Sequence, residues 1–107
     1  MKVFENKKVT PKGLKPTTYA ELLQVVLDVP PQGGFTTTEM RSRIKIQKAL
    51  IKNAPEIQLE DADHEKLSNL VKDMKWGVNA QELVDMEEAV INAKDPNAKK
   101  PPLKKAK

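Results

Sequence analysis

Arg41, Lys45, Lys48 and Lys52 follow one another at steps of four, three and four, and no acid falls among them. On a helix that spacing stacks four side chains along one face. Like charges one turn apart repel by roughly 0.2–0.5 kcal/mol per pair, so the row is tolerated for a reason. Three readings account for it: a plainly solvated face, a face neutralised by an acidic helix of the same fold, or a surface that receives phosphates or the carboxylates of a partner protein.

The remaining chemistry-bearing residues are sparse. The chain has no cysteine, which removes disulfides, thiolate metal sites and thiol catalysis, and favours a reducing compartment such as the cytoplasm. His64 is the only histidine, and acid–base catalysis needs a second positioned group beside it. Ser42 and Ser68 have no nucleophile context, and Gly33-Gly34 is followed by no Lys-Ser or Lys-Thr pair of a phosphate loop. Glu60, Asp61, Asp63 and Glu65 lack the glycine and the alternating oxygen ligands of a calcium loop, and suit the N-terminal end of a helix better. A non-enzyme with no catalytic residue, no cofactor and no metal is therefore expected. Trp76, the only tryptophan, is a core anchor or, if exposed, an anchor for a partner.

Four helices are predicted to position these residues. Thr18-Tyr19-Ala20-Glu21 is a capping box, after which Leu22, Val25, Val26 and Val29 recur at helical spacing until Pro30-Pro31. Thr36 with Glu39 starts the second helix, Phe35 and Met40 sit where a hydrophobic staple places them, and Pro55 stops the run, so residues 36–54 are read as one rod. Its inner side is assigned to Met40, Ile44 and Ile51, spread by Ile46, Leu50 and Ala54, with the cationic row about a right angle away. Glu56 to Glu60 alternates as a short strand or an extended linker would. Asp61 is expected to cap a third helix with its stripe at Leu67, Leu70, Val71 and Met74, and Gly77 to end it; Asn79 to Glu82 opens a fourth that runs to Ala93 through Leu83, Met86 and Val90.

Outside these helices the composition changes. Val3-Phe4 and Lys8-Val9-Thr10 would make only a marginal ribbon, so residues 1–16 are read as an extended, flexible arm docking through Phe4. Residues 94–107, with three prolines and six lysines, are expected to be a disordered basic tail. No internal repeat is evident, no apolar run reaches the length of a signal peptide or a membrane span, and no membrane partner is expected.

Charge is sorted along the chain. Residues 1–53 hold ten Lys or Arg against four acids (+6), residues 54–93 three against ten (−7), and residues 94–107 six against one (+5), giving the overall +4. A helix-turn-helix comparison is poor, because Pro30 to Phe35 is longer than the usual turn and only Arg41 and Arg43 could read base edges.

The capped basic segment Thr36-Thr37-Thr38-Glu39-Met40-Arg41-Ser42-Arg43-Ile44, the Ile57-Gln58-Leu59 stretch and the helix opening Glu60-Asp61-Ala62-Asp63 lie within Phe35 to Ala93. In layout that segment resembles small uncharacterised accessory proteins of tailed bacteriophages. The resemblance implies a non-enzymatic role in host takeover, regulation or particle assembly, and carries no site residue with it.

The sequence thus predicts an all-α domain, a small bundle of about four short helices over residues 17–93 with at most a minor β element. Its expected function is to bind a protein partner or a second copy through Arg41, Lys45, Lys48, Lys52 and the acidic fourth helix. The alternative is a nucleic-acid-binding regulator using the same basic face and the lysine tail.

Overall fold

A computed structural model of the chain describes residues 1–95. Four helices are present, α1 (Tyr19–Asp28), α2 (Thr37–Leu50), α3 (Asp61–Asp73) and α4 (Gln81–Ile91), but α2 stops at Leu50, where the chain turns through Asn53, rather than running as one rod to residue 54. Four short strands join them, β1 (Lys2–Glu5), β2 (Lys8–Val9), β3 (Thr17–Thr18) and β4 (Glu56–Leu59), so the fold is helix-rich rather than all-α.

The strands correct the reading of the N-terminal arm. β1 does not fold back on β2; it pairs antiparallel with β4, Phe4 opposite Ile57 and Lys2 opposite Leu59. Ile57 and Leu59 point inward while Glu56 and Gln58 face out, the alternation a half-buried strand requires. A two-stranded ribbon is marginal alone, and here the burial of Phe4, Ile57 and Leu59 in the main core holds it. On the other edge of β1, the Val3 N–H donates to the Lys94 carbonyl (2.7 Å) and the Lys94 N–H returns to Val3 (2.9 Å). Lys94 is thus paired, and the rest of the expected tail, from residue 96, lies outside the described residues.

Residues 6–18 return the chain from β1 to α1 through the β2–β3 pair. A polar tie fixes this return. Asn53, the one described non-glycine residue at positive φ (50°), turns the chain after α2. Its side-chain oxygen accepts from Asn6 Nδ2 and Thr18 Oγ1, both at 2.8 Å. Asn6 also donates to the Ala54 carbonyl and accepts from the Ala20 N–H. The arm, the start of α1 and the end of α2 therefore meet at one hydrogen-bonded point.

Local signals at two helix starts behave as their residues dictate. Thr18 and Thr36 are N-caps, accepting from the Glu21 and Glu39 N–H groups. Elsewhere they differ. Glu60, not Asp61, precedes α3 without a side-chain cap bond, and Ala80 rather than Asn79 precedes α4. α3 ends at an extended Met74 and not at a left-handed Gly77, leaving Trp76 in the connection to α4.

The core sits where α1 packs on α2 and α3, α3 packs on α4, and the β1–β4 ribbon closes the side between α2 and α4. Leu23, Leu27, Ile46, Leu50, Leu67, Met86 and Val90 fill it. In α1 the buried set is Tyr19, Ala20, Leu22, Leu23, Val26 and Leu27, while Val25 and the C-cap Val29 are exposed.

Candidate interaction surface

The α2 helix is rolled about its axis relative to the sequence reading. Its buried residues are Arg43, Ile46 and Leu50, whereas Met40 (42%), Ile44 (48%) and Ile51 (70%), assigned to the core, stand in solvent. At about 100° per residue, Arg41, Lys48 and Lys52 then fall opposite the core, with Met40, Ile44 and Ile51 as an adjoining apolar stripe. The outer face is therefore basic and greasy at once.

Arg43 explains the roll. Its Nη1 donates to the Leu27 carbonyl (2.9 Å) and the Val29 carbonyl (2.7 Å), at the C-terminal end of α1. Those carbonyls lack intrahelical partners, and the last turn of α1 has no basic residue of its own. Arg43 Nε donates to Glu39 Oε2 at 2.7 Å, and the guanidinium lies 5.0 Å from the Phe35 ring centroid, a cation–π distance. Glu39 also accepts from Lys66 of α3 at 2.7 Å. The hydrogen bonds from Lys66, then Arg43, hold the Glu39 carboxyl below its ordinary value. An arginine locked this way cannot reach a DNA base, so one of the two base-reading candidates is removed.

The four cations of the row are not equivalent. Lys45 donates to Glu60 Oε1 at 2.7 Å and lies 3.5 Å from Asp63 Oδ2, tying α2 to the start of α3. The hydrogen bond to Glu60, reinforced by the charge of Asp63, raises the Lys45 ammonium above its ordinary value, and the same bond with the charge of Lys45 lowers Glu60. Among the described residues no carboxylate is within ion-pair distance of Arg41, Lys48 or Lys52. Lys52 lies past Ile51, the C-cap of α2, in the turn toward Asn53. Three outward charges thus remain available to a partner, and Lys45 serves the fold.

The other candidates have structural partners. Asp61 accepts from the Met1 ammonium at 2.7 Å, so two of the acids near the α3 start pair with Lys45 and one with the N-terminus. That hydrogen bond lowers Asp61 and raises the Met1 amine. Among the described residues no group of three metal-ligating side chains converges. His64 Nε2 lies 2.6 Å from the Val90 carbonyl, which only accepts, so this nitrogen carries the proton and pins α3 to α4. Trp76 is half-buried beside a groove of about 190 Å³ that Met74, Val78, Leu83 and Val84 also line. No helix among the described residues is long and apolar enough to cross a membrane.

No protein-family model matches the chain, and comparison with curated proteins and with solved structures finds no match.

Sequence reasoning missed the Arg43 clamp and the exposed stripe beside the row. One signal pointed to both: Arg43, Ile46 and Leu50 share helical spacing, and α1 ends without a cation to meet its carbonyls.

Proposed function

We propose that this chain is a small non-enzymatic interaction protein whose outer α2 face docks an acidic, amphipathic protein surface. The observation that carries this is the joining of three cations without an ion-pair partner among the described residues, Arg41, Lys48 and Lys52, to an exposed apolar stripe of Met40, Ile44 and Ile51 on α2 and the turn that follows it. Phosphates would use the charges and leave the stripe wet; a protein helix with apolar and acidic residues uses both. Such contacts place the apolar residues at the centre, excluding water, and the cations at the rim, where they set orientation and association rate. A cytoplasmic accessory role, as the layout resemblance to small phage proteins implies, fits a surface of this kind.

The rival reading, a nucleic-acid regulator, draws on the same cations and on the lysines after residue 98. Anisotropy of two labelled probes separates them: an acidic amphipathic helical peptide and a short DNA duplex, each titrated with salt. The docking reading expects peptide binding to persist at physiological salt and to vanish in the Ile44→Glu, Ile51→Glu variant. Peptide binding indifferent to that variant, with duplex binding that survives physiological salt and is lost when Arg41, Lys48 and Lys52 become Gln, would overturn it.

A further inference from the structure

The outward faces of α2 and α4 are built to one plan with opposite charge. Residues 41–50 and 81–90 share the same order of buried, half-buried and exposed positions. Ile46 and Leu50, facing the core, correspond to Met86 and Val90. On the solvent side Ile44, Lys48 and Ile51 correspond to Val84, Glu88 and Ile91, Lys45 corresponds to Asp85, and Gln47 to Glu87. α2 with its C-cap and α4 therefore each carry two exposed apolar side chains seven residues apart, and the charge that shares their face is positive on α2 (Lys48) and negative on α4 (Glu88). Val84 is 46% and Ile91 38% exposed, so α4 keeps its pair in water as α2 does.

A seven-residue apolar step is the repeat by which two helices form a seam, and neither seam is covered by the described residues. Within one chain α3 packs against both α2 and α4. The groove beside Trp76 continues the α4 stripe, since Val84 borders both. We infer that the occupant of the α2 face is a second copy of this chain, laid on through its α4. Ile44 and Ile51 meet the partner's Val84 and the partner's Ile91, and Lys48 faces the partner's Glu88. This inference rests on the docking reading of α2 and names what docks. The contact joins unlike patches, which makes it heterologous, and its extent rises with concentration. Opposed charges set its register, and added salt weakens it.

Sedimentation equilibrium of the full chain across concentration and salt tests this. The expected result is concentration-dependent association that falls at high salt, that Lys48→Glu or Glu88→Lys alone weakens at least about fivefold, and that the double exchange in one chain restores. Lys48 and Glu88 are exposed and form no ion pair among the described residues, so both single variants keep the fold, checked by circular dichroism. Ile51→Glu is expected to abolish association whatever the charges. A wild-type chain that stays monomeric throughout, or a double exchange no better than its singles, overturns the inference. If the chain is monomeric while the acidic peptide still binds α2, self-association falls and the docking reading stands; if the peptide fails too, both fall.

Discussion

Arg43 is the residue on which the orientation of α2 turns. Its side chain is almost wholly buried, and its hydrogen bonds go to two carbonyls at the C-terminal end of α1 and to Glu39 Oε2, the carboxylate oxygen that Lys66 does not reach. Replacing it by Ala leaves those acceptors unmet and is expected to cost about 3 kcal/mol in urea unfolding. A change within experimental error would show that the clamp is incidental. Glu39 contributes to the pH dependence, as Glu60 and Asp61 do. Its carboxyl is held below the ordinary 4.5 by Lys66 and Arg43, so the pairing stabilises the fold in full above that value and is lost as pH falls through the lower, folded one. The wild-type stability curve is expected to descend as pH drops below about 4.5, and the Glu39→Gln curve to start lower at neutral pH and descend less; parallel curves would contradict this. The threonine caps were readable because a cap is a local contract between neighbours. Arg43 was not, because its partners belong to another helix, and a charged residue among apolar ones reads as outward-facing.

At the scale of elements, the existence of the helices was legible and the roll of α2 was not. Met40, Ile44 and Ile51 make as good an apolar stripe as Ile46 and Leu50 with Arg43, and periodicity alone has no means to choose between two stripes about a quarter turn apart. A domain of this size has too little interior to bury both. The β1–β4 ribbon was hidden for a different reason: its two strands lie more than fifty residues apart, so nothing local marks them as partners. The ribbon is nonetheless integral. Phe4→Ala is expected to destabilise by about 3 kcal/mol, measured by thermal or urea melts, whereas a loosely held arm would give almost no change. Asn53 adds a finer test. Its left-handed backbone tolerates Gly better than Ala, but neither restores the bonds from Asn6 and Thr18. Asn53→Ala is expected to be less stable than Asn53→Gly, and both less stable than wild type. Equality of all three would remove the polar tie from the description.

For the whole molecule, the sorting of charge into blocks becomes a sorting in space. The fold consumes part of it, as Lys45 with Glu60 and Asp63 and Lys66 with Glu39 show. What remains on α2 and α4 is opposite in sign and set beside exposed apolar pairs. That match was invisible in the sequence because Ile44 and Ile51 read as core, and only the exposure of these two and of Val84 and Ile91 reveals the common plan. Deleting residues 96–107 removes Lys99, Lys100, Lys104, Lys105 and Lys107. Docking through α2 is expected to survive that deletion at physiological salt, while general polyanion affinity drops with a shallower salt slope.

Photo-crosslinking from the α2 face tests its role most directly. A photoreactive amino acid replaces Ile51 in the full chain, with the same group at exposed Gln58 of β4 as control, and the adducts are mapped by mass spectrometry at physiological salt. Adducts from position 51 to protein, lost when Ile44 and Lys48 are changed to Glu and absent from position 58, are the expected result. Adducts to nucleic acid, or none beyond those of the control, would contradict the assignment of this face to a protein partner.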